Sequence, residues 1–113
     1  MEDHLSEQDY VCKIIEAYRR TPGTTGLIRR PDRLLAAQLY LRGVPLTVVE
    51  NALVLTAARR LLREPAASPL GTIRSLAYFL PVIDEVLQLP VSQDYFHYLQ
   101  QKIKPLLKTP DGR

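Results

Sequence analysis

Apolar side chains recur every three or four positions in five stretches of this chain, and proline or glycine stands between successive stretches. That period suits helices that hide an oily stripe by stacking on one another, and it conflicts with the two-residue alternation of a strand. Leu and Ala are frequent and only five Gly occur in 113 residues, so composition points the same way. The expected fold is all-α: a compact bundle of about five helices forming a single domain over 1–108, with 109–113 as a flexible tail.

The first helix is expected over 7–20, capped by Ser6, with Asp9 in its first turn and Val11, Ile14, Ile15 and Tyr18 as its stripe. Pro22-Gly23 and the following Thr-Thr-Gly read as a loop. A second helix starts near Pro31 and ends at Gly43, a suitable left-handed terminator. It is apolar nearly all round, which predicts that it forms the centre of the fold. Thr47-Val-Val-Glu50 has the form of a capping box for a third helix reaching about Arg63, with Val49, Ala52, Leu53, Leu61 and Leu62 inward. The run 64–71 reads as loop. A fourth helix is expected over 72–88, either kinked at Pro81 or split there, and stopped by Pro90. The fifth is capped by Ser92 and carries Tyr95, Phe96, Leu99 and Ile103, with Pro105 ending or kinking it.

Charge is unevenly spread. Residues 1–18 set Lys13 against Glu2, Asp3, Glu7, Asp9 and Glu16, a net −4. Residues 19–74 hold ten arginines and no lysine against Asp32, Glu50 and Glu64, a net +7. Such asymmetry suits an acidic partner or a self-complementary dimer, and solubility alone would also account for it. No apolar run reaches the roughly 18 residues of a membrane span, and the start of the chain is acidic where a secretory signal is basic. With Cys12 the single cysteine, no intrachain disulfide can form. The expected location is the cytoplasm, without membrane contact.

Catalytic chemistry has little to work with. His4 and His97 are far apart in the sequence and make a poor metal set. Cys12 needs a neighbouring base or cation to become a reactive thiol, and the plain expectation is a half-buried position on the first helix. Asp84 and Glu85 are neighbours on one helix, which cannot face each other across a substrate bond, and are expected to be solvated. Gly23 and Gly26 lack the downstream Lys and Ser/Thr of a phosphate-cradling loop. No enzyme activity, cofactor, metal or small-molecule substrate is expected.

Two features remain. Residues 34–53 place Gly43-Val-Pro-Leu between two helical stretches, with Val44 and Val49 set to pack them, in the manner of a helix-turn-helix. Leu39 stands where that motif commonly has a small residue, and a plain helical hairpin accounts for the same pattern. In the DNA-reading version Asn51 is the base-contacting candidate. The second feature is arginine clustering: Arg19 with Arg20, Arg29 with Arg30 and Arg33, and Arg59 with Arg60 and Arg63. These suit bidentate contacts to phosphates or carboxylates, and a solvated surface encoded by a GC-rich genome is the competing explanation.

The stretch Gly43-Val-Pro-Leu-Thr-Val-Val-Glu-Asn-Ala-Leu53, a proline loop, and Ile73-Arg-Ser-Leu-Ala-Tyr-Phe-Leu-Pro-Val-Ile83 resemble the helical module of DnaD-like replication proteins. The resemblance spans about forty residues and rests on Ser75, Tyr78 and Ile83. The tryptophan typical of the last helix of such modules is absent. The resemblance implies a DNA-binding role in replication initiation in bacteria or mobile elements. The expected function is therefore a non-enzymatic, DNA-associated accessory protein of a bacterium or mobile element. The nine candidate contacts are Arg19, Arg20, Arg29, Arg30, Arg33, Asn51, Arg59, Arg60 and Arg63. The alternative expectation is a protein–protein interaction module or homodimeric scaffold using an apolar helix face, with Tyr95, Phe96 and Tyr98 as anchors.

Overall fold

The computed structural model describes residues 5–63, 70–88 and 93–107. Its elements run α1 (Glu7–Arg20), α2 (Arg30–Leu41), α3 (Leu46–Leu61), a 3-10 turn (Leu76–Phe79) leading into α4 (Leu80–Gln88), and α5 (Gln93–Leu107). Among the described residues no strand forms, and the fold is an all-α bundle. The expected Ser92 cap, the Pro90 stop, His4, most of the 64–71 loop and the tail at 109–113 lie outside the described residues.

Local signals set the limits of α1. The Ser6 hydroxyl accepts the Asp9 N–H at 3.1 Å, satisfying a donor that the first turn leaves without a partner. Acidic groups stand in its first turn and Arg19 and Arg20 in its last, each sign complementing the helix dipole. Its buried side is Tyr10, Ile14, Ile15 and Tyr18, with Val11 only half-buried. Tyr10 takes that place because its hydroxyl has a buried partner, donating to the Val44 carbonyl at 2.8 Å. The same burial pushes the phenol up to about 12, against a smaller opposing pull from Arg42.

A backbone motif ends α2. The Gly43 N–H reaches the Tyr40 carbonyl at 3.0 Å and the Val44 N–H reaches Leu39 at 3.1 Å, the paired bonds of a Schellman cap. Gly43 has φ +78°, where a side chain is strained. Val44 and Leu39 are both buried in the same cluster, so the motif's usual apolar contact is in place.

The cap changes where α3 begins. Pro45 follows Val44 directly, and its carbonyl accepts the N–H groups of Val48 at 3.0 Å and Val49 at 3.4 Å. The helix thus opens at Leu46, and Thr47 lies exposed inside its first turn rather than capping it. The expected Thr47–Glu50 capping box is not formed. An acidic cap occurs instead at α2, where Asp32 accepts the Arg29 N–H at 2.9 Å.

The centre of the fold is α3, not α2. It packs on α1, α4, α5 and the 3-10 turn, whereas α2 packs on α1 and that turn. Two apolar clusters meet along it. Val49, Ala52 and Leu53 join α1, α2, Leu76, Phe79 and Ile83, while Leu55, Ala57 and Ala58 meet Phe96, Leu99 and Ile103 of α5. Small residues at 52, 57 and 58 let neighbours close in from several sides. Thr56 is buried there because its hydroxyl donates to the Ala52 carbonyl at 2.8 Å. Leu61, expected inward, is half-buried, and Leu62 is exposed.

The fourth helix is shorter than its apolar phase implies. Residues 72–75 are not helical, because Ile73 pairs with the α1–α2 loop: its N–H donates to Gly23 at 2.7 Å and its carbonyl accepts from Thr25 at 3.0 Å. Pro81 lies in the first turn of α4, where its missing N–H costs no helical bond. α5 continues through Pro105 to Leu107. Phe96, Leu99 and Ile103 are its buried side, and Tyr95 is exposed.

A candidate anion-binding pole

The antiparallel pairing of α1 and α2 decides where the arginines go. Tyr40 donates to the Leu5 carbonyl at 3.3 Å, and the Tyr10 and Tyr40 rings meet edge to face at 5.3 Å. The start of α1 therefore lies beside the end of α2. At the opposite end, the last turn of α1 lies beside the first turn of α2, and the Tyr18 phenol is raised chiefly by burial and then by nearby Asp32. Arg19 and Arg20 close α1 where Arg29, Arg30 and Arg33 open α2. All five are exposed.

Two further segments come to the same pole. The Ile73 bridge ties segment 70–75, and with it exposed Arg74, to the α1–α2 loop. The end of α3 arrives through Arg60, which donates to the Gly71 carbonyl at 2.7 Å and the Tyr78 hydroxyl at 3.0 Å. Its guanidinium lies 5.6 Å from the Tyr78 ring centroid and covers Gly23. A Cβ on Gly23 would come within 3.2 Å of that guanidinium, and φ there is +93°. Arg63 lines a small cleft of about 210 Å³ with Pro22, Gly23, Arg60, Leu61 and Leu70.

The acid placed among these cations is Asp32, 2% exposed, and both of its oxygens are spent on backbone. One accepts from Arg29 and the other from the buried Leu76 N–H at 2.9 Å, which ties α2 to the 3-10 turn. The pole is thus rich in exposed guanidinium groups, and its buried acid is committed to backbone N–H groups.

Not every candidate joins it. Arg59 lies beside Arg60 in sequence but points about 100° away and forms a two-pronged ion pair with Glu85 of α4. The pair raises the guanidinium and holds the Glu85 carboxyl below its usual range. Glu85, expected to be solvated, is therefore engaged. Asn51 lines a different groove of about 560 Å³ whose walls include Arg20, Glu50, Leu53, Gln100 and Lys104. α3 buries seven side chains, and only Thr47 and Arg59 on it are exposed, so it has no free face to lay in a DNA groove. The turn after α2 has helix-turn-helix order, but α3 is a core helix rather than a reading helix. Arg74, absent from the sequence candidates, belongs to the pole only through the Thr24–Ile73 pairing, a long-range contact without a local signal.

The remaining chemical groups are dispersed. Cys12 is exposed, not half-buried, because its helix turns Tyr10, Ile14 and Tyr18 inward instead. His97 is exposed. Among the described residues no three His, Cys, Asp or Glu side chains gather as a metal site, and no helix is long and apolar enough to cross a membrane. Tyr95 and Tyr98 are exposed and stacked at 6.5 Å between centroids, while Phe96 is core. No family model, curated protein or solved structure matches the chain.

Proposed function

We propose that this chain is a non-enzymatic, DNA-associated accessory protein of a bacterium or mobile element that grips the phosphate backbone at its arginine pole. One observation carries the reading: arginines from positions 19–20, 29–33 and 74, far apart in sequence, stand exposed at one end of the bundle. A guanidinium presents a planar fork that matches phosphate oxygens, which suits phosphate contact better than general solubility requires. The likeness of residues 43–53 and 73–83 to DnaD-like modules supports the same setting. Contact is with phosphates rather than base edges, because α3 has no free face for the groove.

Binding of this kind releases counterions, so log K falls linearly with log salt by about 0.9 per phosphate contacted. Titration of a random duplex between about 50 and 200 mM salt is expected to give a slope of roughly −4 or steeper. Arg29→Ala/Arg30→Ala/Arg33→Ala is expected to flatten that slope by up to about 3, whereas Arg59→Ala leaves it in place. No binding at the low-salt end, or binding indifferent to salt, overturns the proposal.

A further inference from the structure

Part of the apolar surface of α2 is not buried in the core. Asp32, Ala36 and Leu39 point inward, and the opposite side carries Arg30, Leu34, Ala37 and Leu41 in one line at four-, three- and four-residue spacing. Leu34 is 52% exposed and Leu41 73%. Single exposed leucines are ordinary on any protein. Two of them on one stripe, separated by a small residue at the spacing of a coiled-coil seam, form a place for another helix. The seam is about 18 Å long.

Charge selects the occupant. Arg30, Arg33 and Arg42 lie on or beside the stripe, and the only acid of α2, Asp32, is on its buried side. Arg42 approaches Asp84 at 4.0 Å, but both side chains are more than half exposed, so that pair exchanges readily for a better one. A second copy would set the same three arginines against each other. We infer that the outer face of α2 docks an acidic, leucine-bearing amphipathic helix of a partner protein.

The test uses the full chain and a synthetic helix of about four turns, with leucines at alternating three- and four-residue spacing and glutamates beside them. A twin carries lysines in place of the glutamates. Fluorescence anisotropy is expected to show micromolar binding of the glutamate probe and none of the lysine twin. Leu34→Gln/Leu41→Gln is expected to weaken binding about tenfold or more, from the lost burial of two leucines. Both positions are exposed, so circular dichroism should show the variant folded and its melting unchanged. Equal binding of the probe by the variant, equal binding of the twin, or no binding of the glutamate probe overturns the inference. So does a dimer in light scattering that the variant dissolves, which would assign the stripe to a second copy.

Discussion

Asp32→Ala should be among the most damaging single changes outside the apolar core. The carboxylate is 2% exposed and joins two segments 44 residues apart, accepting from Arg29 at 2.9 Å and from Leu76 at 2.9 Å. Its loss leaves the Leu76 N–H buried without a partner, at a cost of roughly 1–3 kcal/mol. It also removes the α2 cap, for about 1 kcal/mol more. The Arg29 N–H is nearer the surface and recovers part of its bond from water. The sum is about 3 kcal/mol, equivalent to a fall in Tm of about 12 °C for a domain of this size. Asp32→Asn keeps one acceptor but turns an amide donor towards the other N–H, so it should be clearly destabilised as well. Urea unfolding followed by far-ultraviolet circular dichroism measures both. A buried ion can also be replaced at no net cost when its neighbours repack. If Asp32→Ala came within about 0.5 kcal/mol of wild type, the two bonds would contribute no net stability and the reasoning would fail.

Gly43→Ala should cost roughly 1 kcal/mol, since φ is +78° and nothing lies within 4 Å of the added methyl, and thermal melting checks it. Alkali should open the fold. Tyr10 is raised to about 12 and Tyr18 is raised as well, so their contribution is complete below the ordinary value of 10.0 and lost as pH climbs from there towards 12. Phenolate absorbance rising together with unfolding, and a weaker alkaline effect in Tyr10→Phe, are the expected results. The Arg59–Glu85 pair runs the other way. Glu85 is depressed, so the pair's contribution is present above the usual carboxylate range and lost as pH falls through the lowered value. Glu85→Gln should therefore have a smaller acid-induced loss of stability than wild type in urea titrations at stepped pH.

What was legible in the sequence was whatever is decided within a turn or two of chain. Ser6 and Gly43 mark the start of α1 and the end of α2 because capping needs only neighbouring atoms. Burial is decided between segments, and there the pattern misleads. The apolar residues of α2 read as central, yet Leu34 and Leu41 face outward, while Ala52, Ala57 and Ala58 make α3 the helix that others can approach. The 72–75 stretch kept helical phase but was claimed by a backbone pairing with Thr24, some fifty positions earlier. The arginine clusters were visible as clusters. Their meeting at one pole depends on the antiparallel setting of α1 and α2, marked by the Tyr40 bond to Leu5 and the Tyr10 bond to Val44 just past α2. Arg59 and Arg60 show the limit most plainly. Adjacent and identical, they diverge to Glu85 and to Tyr78 with Gly71, and only the fold separates them.

Amide chemical shifts read on the full chain with a short random duplex would locate contact directly. Changes should gather at 19–33, 60–63 and 70–74 and fade as salt is raised, with 93–99 of α5 unmoved. Shifts concentrated on α5 or on the outer turns of α4, or a spectrum that the duplex leaves untouched, would contradict a phosphate-gripping pole.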